Sequence, residues 1–176
     1  MTRRLHIGGT VRTEGWETLN ANAAPYVDHV CNANDLSRFE SNVFAQLYAS
    51  HVVEHLDYRG ELLSTLTEWH RVLAPGGTMQ ISVPDLDVLS GLFLQKTQLT
   101  LEDRFMVMRM MFGGHVDKYD YHVVGLNEEI LTAFLQHAGY VNIQRVAGFG
   151  LFDDTSSMLF KGVAISLNVT CQKPLS

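Results

Sequence analysis

The stretch from Phe44 to Asp85, FAQLYASHVVEHLDYRGELLSTLTEWHRVLAPGGTMQISVPD, constrains the fold more than any other part of the chain. It opens with an apolar run over Phe44–Ser50 that reads as a strand. Leu62, Leu66, Trp69 and Leu73 then recur at helical spacing, which predicts a helix over Arg59–Val72. Pro75-Gly76-Gly77 is expected to stop that helix and make a turn. Thr78–Val83 alternates as a second strand, and Pro84-Asp85 ends it, with Asp85 placed to cap a short helix. Parallel strands need a crossover of a dozen or more residues, usually a helix, so this unit predicts a mostly parallel α/β sheet.

The N-terminal part departs from that plan. Strand-like runs stand at Arg4–Ile7, Glu17–Asn20 and Asp28–Cys31. Ten residues lie between Ile7 and Thr18 and seven between Asn20 and Asp28, too few for a helix with its turns. One face of the early sheet is therefore expected to lack helical cover. Leu5, Ile7, Leu19, Val27 and Val30 must find cover elsewhere. Downstream, Thr100-Leu101-Glu102-Asp103 reads as a capping box opening a helix to about Met111. Asn127 caps another helix, whose Ile130, Leu131, Phe134, Leu135 and Ala138 share a face and which Gly139 ends. Two strands, Asn142–Gly148 and Val163–Gln172, close the chain around a polar turn at Asp153–Ser156. With no repeat or linker, residues 1–176 read as one domain.

Composition narrows the partners. The formal net charge is −6 and the 13 Lys and Arg are scattered, so no basic face for a phosphate backbone forms and no nucleic-acid partner is expected. No window approaches a membrane span, and the start MTRRLHIGG lacks the apolar core of a signal peptide. Two distant cysteines, Cys31 and Cys171, fit reduced thiols in a cytoplasm. The Asn168-Val169-Thr170 sequon sits in an apolar strand and reads as chance.

Taken whole, Phe44–Asp85 resembles the central stretch of the class I (Rossmann-like) S-adenosylmethionine-dependent methyltransferases. There, the fourth strand delivers the SHVVEH turn to the cofactor and RVLAPGG leads into the fifth strand. LHIGGTVRTEGWETLNA resembles the first cofactor loop and second strand, and GGHVDKYDYHVVGLNEEILTAFLQHAGY a later segment of the same family. The resemblance implies a mostly parallel sheet with a reversed C-terminal strand, here without helices on one face of its N-terminal half. It implies S-adenosylmethionine as cofactor, held by Gly8, Gly9, Asn20, Asp35, Leu36, Ser50 and His51. Two positions depart from the family: Thr10 stands where glycine is usual, and Asn20 where a carboxylate accepts both ribose hydroxyls. Restoring that acid in Asn20→Asp is expected to tighten S-adenosylhomocysteine binding about tenfold.

The implied reaction is methyl transfer to a small-molecule acceptor, sugar-related by resemblance to compact relatives found with sugar and surface-polysaccharide enzymes. Asp117, Tyr119, Asp120, Tyr121 and His122 concentrate polar chemistry after the fifth strand. His51, His122 and Tyr121 are the catalytic candidates, with an imidazole as base for an oxygen acceptor. The alternative is a catalytically silent binding or scaffold module. His51-Val52-Val53-Glu54-His55 also spells H-x-x-E-H, a zinc signature that needs both histidines on one helix face. Following a strand, His51 and His55 are expected to hold no structural zinc, and no metal is assigned. Leu101–Phe112, with four methionines in six positions, is expected either to cover the bare early face or to pack against a second copy in a homodimer burying Phe105, Met108 and Phe112 or the early strands.

Overall fold

The computed structural model describes residues 2–116 and 118–175. In chain order the strands are β1 (Arg3–Ile7), β2 (Glu17–Asn20), β3 (His29–Val30), β4 (Phe44–Ser50), β5 (Leu73–Pro84), β6 (Val141–Val146), β7 (Leu159–Phe160), β8 (Val163–Ala164) and β9 (Ser166–Gln172). The helices are α1 (Glu61–Val72), α2 (Leu86–Phe93), α3 (Leu101–Phe112) and α4 (Glu128–His137). Seven strands form one sheet in the order β3-β2-β1-β4-β5-β9-β6, and β7 with β8 makes a separate hairpin. Within the large sheet β9 alone runs against its neighbours, pairing antiparallel with both β5 and β6. No helix among the described residues is long and apolar enough to cross a membrane.

Local chemistry explains most boundaries. Asp85 accepts from the backbone N–H groups of Asp87 and Val88 and starts α2. Thr100 and Asp103 form the reciprocal capping box of α3. Asn127 accepts from the Ile130 N–H and starts α4. Expected boundaries shift by a residue or two at several strands, such as Asn142–Gly148 to Val141–Val146 and Asp28–Cys31 to His29–Val30, and three other changes alter an element's start or course. The first helix opens at Glu61 rather than Arg59, because the Arg59 N–H is taken by the Asp57 carboxylate in a turn. The segment Pro75-Gly76-Gly77 is not a turn between elements but a bulge inside β5. Phe44 pairs with Leu73 and Gln46 with Thr78, so the residues between loop out while the ladder continues. Gly76 takes φ 74° there and donates to the Lys173 carbonyl at 3.0 Å, which anchors the bulge. The last strand divides, Val163–Ala164 joining the hairpin and Ser166–Gln172 the sheet.

The sheet has two unlike faces. On one, α1 and α4 lay Leu62, Leu66, Trp69, Leu131 and Leu135 over strand residues such as Leu47 and Ile81. Leu5, Ile7 and Leu19 face this side, fully buried in the same cluster, with Leu36 and Phe39 from the β3–β4 connection completing it. The expected shortage of cover for these three is thereby corrected: a thirteen-residue loop without a helix supplies it. Val30, at the edge, stays 51% exposed.

The opposite face carries His6, Thr18, Tyr48 and Asn168. Among the described residues no α-helix crosses it; the chain between β6 and β7, with a short 3-10 turn at Thr155–Ser157, does. Phe152 packs on the rings of His6 (centroids 4.2 Å) and Tyr48 (4.5 Å) and on Trp16, and Phe149 on Tyr48. Tyr48 Oη donates to Asp154 Oδ2 at 2.7 Å, and Asn168 Nδ2 donates to the carbonyls of Ala147 and Ser156. Here is the cover that the missing helices leave to be found. α3 does not provide it: Val107 packs against Leu89 of α2 and Ile165 instead. Its outer side, Leu101, Phe105 and Phe112, is left exposed and Met108 half-buried.

Candidate functional site

Parallel strands all end at one edge, and the loops leaving that edge frame a pocket of about 420 Å³. Gly8 follows β1, Asn20 ends β2, and His51 follows β4. Gly8 has φ 79°, and its N–H donates to the Leu19 carbonyl at 2.8 Å. A Cβ there would lie 2.6 Å from Val52 Cγ2, so glycine lets the backbone fold against the β4 turn. His51 adopts φ 54°, left-handed for a side chain that rarely goes there, and is pinned by its N–H to the Ser82 carbonyl.

The candidate cofactor residues divide. Gly8, Asn20 and His51 line the pocket. Gly9 does not line it, but its carbonyl accepts from Asn20 Nδ2 at 3.0 Å. Asn20 Oδ1 in turn accepts from the Asn22 N–H at 2.9 Å, so both ends of this side chain hold the β2 loop together. Asp35 lies exposed, its carboxylate occupied by the Ser37 N–H and hydroxyl, which keep it below the usual carboxylate range. Leu36 is buried in the core. The pocket wall nearby is built instead from Asn32, Ala33 and Asn34. Ser50 closes β4 just before His51 and is not among the lining residues.

On the β4 side, Glu54 adds a buried charge that none of the candidate site residues includes. It sits in a short 3-10 turn at Val53–His55, is 1% exposed, and neither carboxylate oxygen accepts a well-formed hydrogen bond. Its Oε1 lies 3.3 Å from His51 Nδ1 and 3.9 Å from His122 Nε2. Burial pushes its pKa up, but His51 and His55 outweigh that and hold the carboxyl below its ordinary value. Burial, reinforced by the neighbouring histidines, lowers the His122 pKa against the pull of Glu54, so this ring is neutral near pH 7. His51 Nε2 is 2.9 Å from Ser166 Oγ, whose hydroxyl donates to the Thr155 carbonyl. The pocket histidine is thus tied to the chain covering the far face.

Of the catalytic candidates, the structure brings His51 and His122 together around Glu54. Tyr121 does not join them: its ring stacks on His115 at 4.1 Å and its carbonyl accepts from His55 Nδ1 at 3.1 Å. Tyr119 of the same loop reaches the pocket, and Asp117 lies outside the described residues. Glu61 also reaches the pocket, accepting from Asn34 Nδ2 and the Asp57 N–H. The H-x-x-E-H spelling was the one sequence signal for Glu54. Nothing in the local pattern marks Asn22, Asn32 or Asn34.

Comparison with known proteins gives a consistent frame. The family profile described as "Methyltransferase domain" matches residues 11–81. No curated protein matches the sequence. Among solved structures, a SAM dependent methyltransferase from Archaeoglobus fulgidus is similar with a TM-score of 0.63 at 15% identity, covering 98% of this chain and 86% of that one. The 1,6-didemethyltoxoflavin-N1-methyltransferase of Burkholderia thailandensis, solved with S-adenosylhomocysteine, is similar with a TM-score of 0.59 at 14% identity, covering 98% and 71%. The CurJ carbon methyltransferase has a TM-score of 0.58 at 16% identity, and this chain, covered to 98%, spans 48% of its length.

Proposed function

From a chain that has the class I S-adenosylmethionine-dependent methyltransferase fold, we propose an enzyme that binds S-adenosylmethionine and passes its methyl group to a small acceptor. The observation that carries this reading is the pocket at the strand edge, lined by Gly8, Asn20 and His51, where such folds bind ligands. Its volume falls within the range of small-molecule sites. The sulfonium is already activated, so the chain's task is alignment. An acceptor hydroxyl gives its proton to an imidazole as its oxygen takes the methyl, leaving a neutral thioether. His51 is favoured for that proton because it lines the pocket, with His122 behind it across Glu54. The Tyr121 ring points to a stacking role instead. The acceptor is sugar-related on resemblance, and the protein cytoplasmic and without nucleic-acid partners on composition. We place two copies together through the exposed side of α3.

The silent-module reading draws support from Asn20, whose amide is engaged at both ends and offers no carboxylate to a ribose. Calorimetric titration with S-adenosylhomocysteine separates the readings. Micromolar binding supports the enzyme, and no heat at millimolar ligand overturns it. Asn20→Asp sharpens the result. The expectation of tighter binding from sequence reverses once an oxygen replaces Nδ2 at 3.0 Å from the Gly9 carbonyl. Losing that hydrogen bond and facing two acceptors costs about 1–3 kcal/mol, so the variant binds the ligand more weakly than the parent and melts lower. A tenfold gain would restore the acid as the missing group.

A further inference from the structure

The geometry points to a divalent transition-metal site formed by Glu54, His55 and His122, at the wall of the pocket and sharing His55 with it. One ligand atom from each residue lies within 4.8 Å of the others. A cation bound at about 2.1 Å spans ligand pairs up to about 4.2 Å apart, so small side-chain adjustments close the cluster. The independent observation is Glu54 itself. A carboxylate 1% exposed with both oxygens lacking a hydrogen bond is costly unless a positive charge meets it.

The imidazoles are arranged to supply the remaining ligands. His55 Nδ1 donates to the Tyr121 carbonyl at 3.1 Å, which fixes the tautomer and leaves the Nε2 lone pair for a metal. An outer hydrogen bond of this kind orients most metal-binding histidines. His122 Nε2 faces the same carboxylate from the loop before α4, at 3.9 Å from Oε1. Two imidazoles and one carboxylate suit zinc, iron(II) and their neighbours and leave coordination positions open. The arrangement differs from the H-x-x-E-H reading, which pairs His51 with His55. His51 lies beside Glu54 at 3.3 Å but has its Nε2 committed to Ser166, and the second histidine comes from the loop before α4. That an open position receives an acceptor oxygen rests on the methyltransferase reading; the binding of the cation does not.

The test uses tag-free protein stripped with chelator and titrated calorimetrically with zinc chloride, then with cobalt chloride followed by visible absorption. One equivalent of zinc and a cobalt ligand-field band are expected. His122→Ala and His55→Ala each weaken zinc by about tenfold or more, whereas His115→Ala, which alters the exposed ring stacked on Tyr121, leaves it unchanged. Circular dichroism establishes that each variant is folded. Folded parent protein that takes up neither ion at millimolar concentration overturns the site and returns Glu54 to a shared proton with His51. Zinc affinity untouched by both alanine variants overturns it equally. S-adenosylhomocysteine titrated separately into the same samples distinguishes loss of this site from loss of the methyltransferase reading.

Discussion

His6 shows how one residue can set a pH limit on the whole fold. It is buried against Tyr48 and Phe152, and burial lowers its pKa to about 4, against the smaller opposing pull of Asp154. Burial costs a cation on this ring more than Asp154 returns, so the folded state prefers it neutral. The unfolded chain takes up a proton near pH 6.5. The stability that His6 contributes is therefore complete above about pH 6.5 and is lost as the pH falls through about 4. The full window is worth about 3 kcal/mol. Thermal melts from pH 7 to pH 4 should show a steeper fall for the parent than for His6→Leu. Parallel curves would mean that the ring ionises without disturbing the cover, and that the pocket beneath Phe152 is wetter than its burial indicates.

At the scale of elements, the chain between β6 and β7 does the work of two helices with rings and hydrogen bonds. Phe152→Ala removes contacts to three aromatic neighbours and should cost about 2–3 kcal/mol, at the low end for a large-to-alanine change because the ring is half-buried. Urea melts measure it; a loss below about 0.5 kcal/mol would show that Tyr48 and Asp154 hold the segment without the ring. This element also marks the limit of what the sequence discloses. Asp85, Thr100 and Asn127 act through neighbours two or three positions away, and their helices could be read directly. Short gaps after β1 and β2 revealed that cover was missing. They could not reveal its source, because Phe149 and Phe152 meet Tyr48 from about a hundred positions away. The site divides the same way. Gly8 and His51 are dictated by the turn that each occupies, whereas Asn20 stands where the family resemblance implies a ribose contact while its side chain braces its own loop. Glu54 is legible as chemistry only once His122 arrives from a distant segment.

For the whole molecule, the open question is what meets the outer side of α3. Leu101, Phe105 and Phe112 are 79%, 55% and 54% exposed, and they recur at spacings that put them on one side of the helix. A two-fold pairing of that side would bury a patch that soluble monomers rarely show. Static light scattering at micromolar concentration should give twice the 19.8 kDa chain mass. Phe105→Glu should return it to one, with S-adenosylhomocysteine binding retained. A parent that scatters as a monomer at every concentration removes the dimer.

The aromatic cover also sets an order of events during synthesis. The strands bearing His6 and Tyr48 leave the ribosome first, and Phe149 and Phe152, which cover them, about 100 to 150 residues later. At about 5–20 residues per second, that interval lasts roughly 5–30 s. In a fold with helices after β1 and β2, the same face would be sealed by neighbours within moments of emerging. Here the nascent chain carries a bare, partly apolar sheet surface through most of its own translation. Its yield in a cell is then governed less by the stability of the finished protein than by how well that surface is shielded until the last third of the chain arrives.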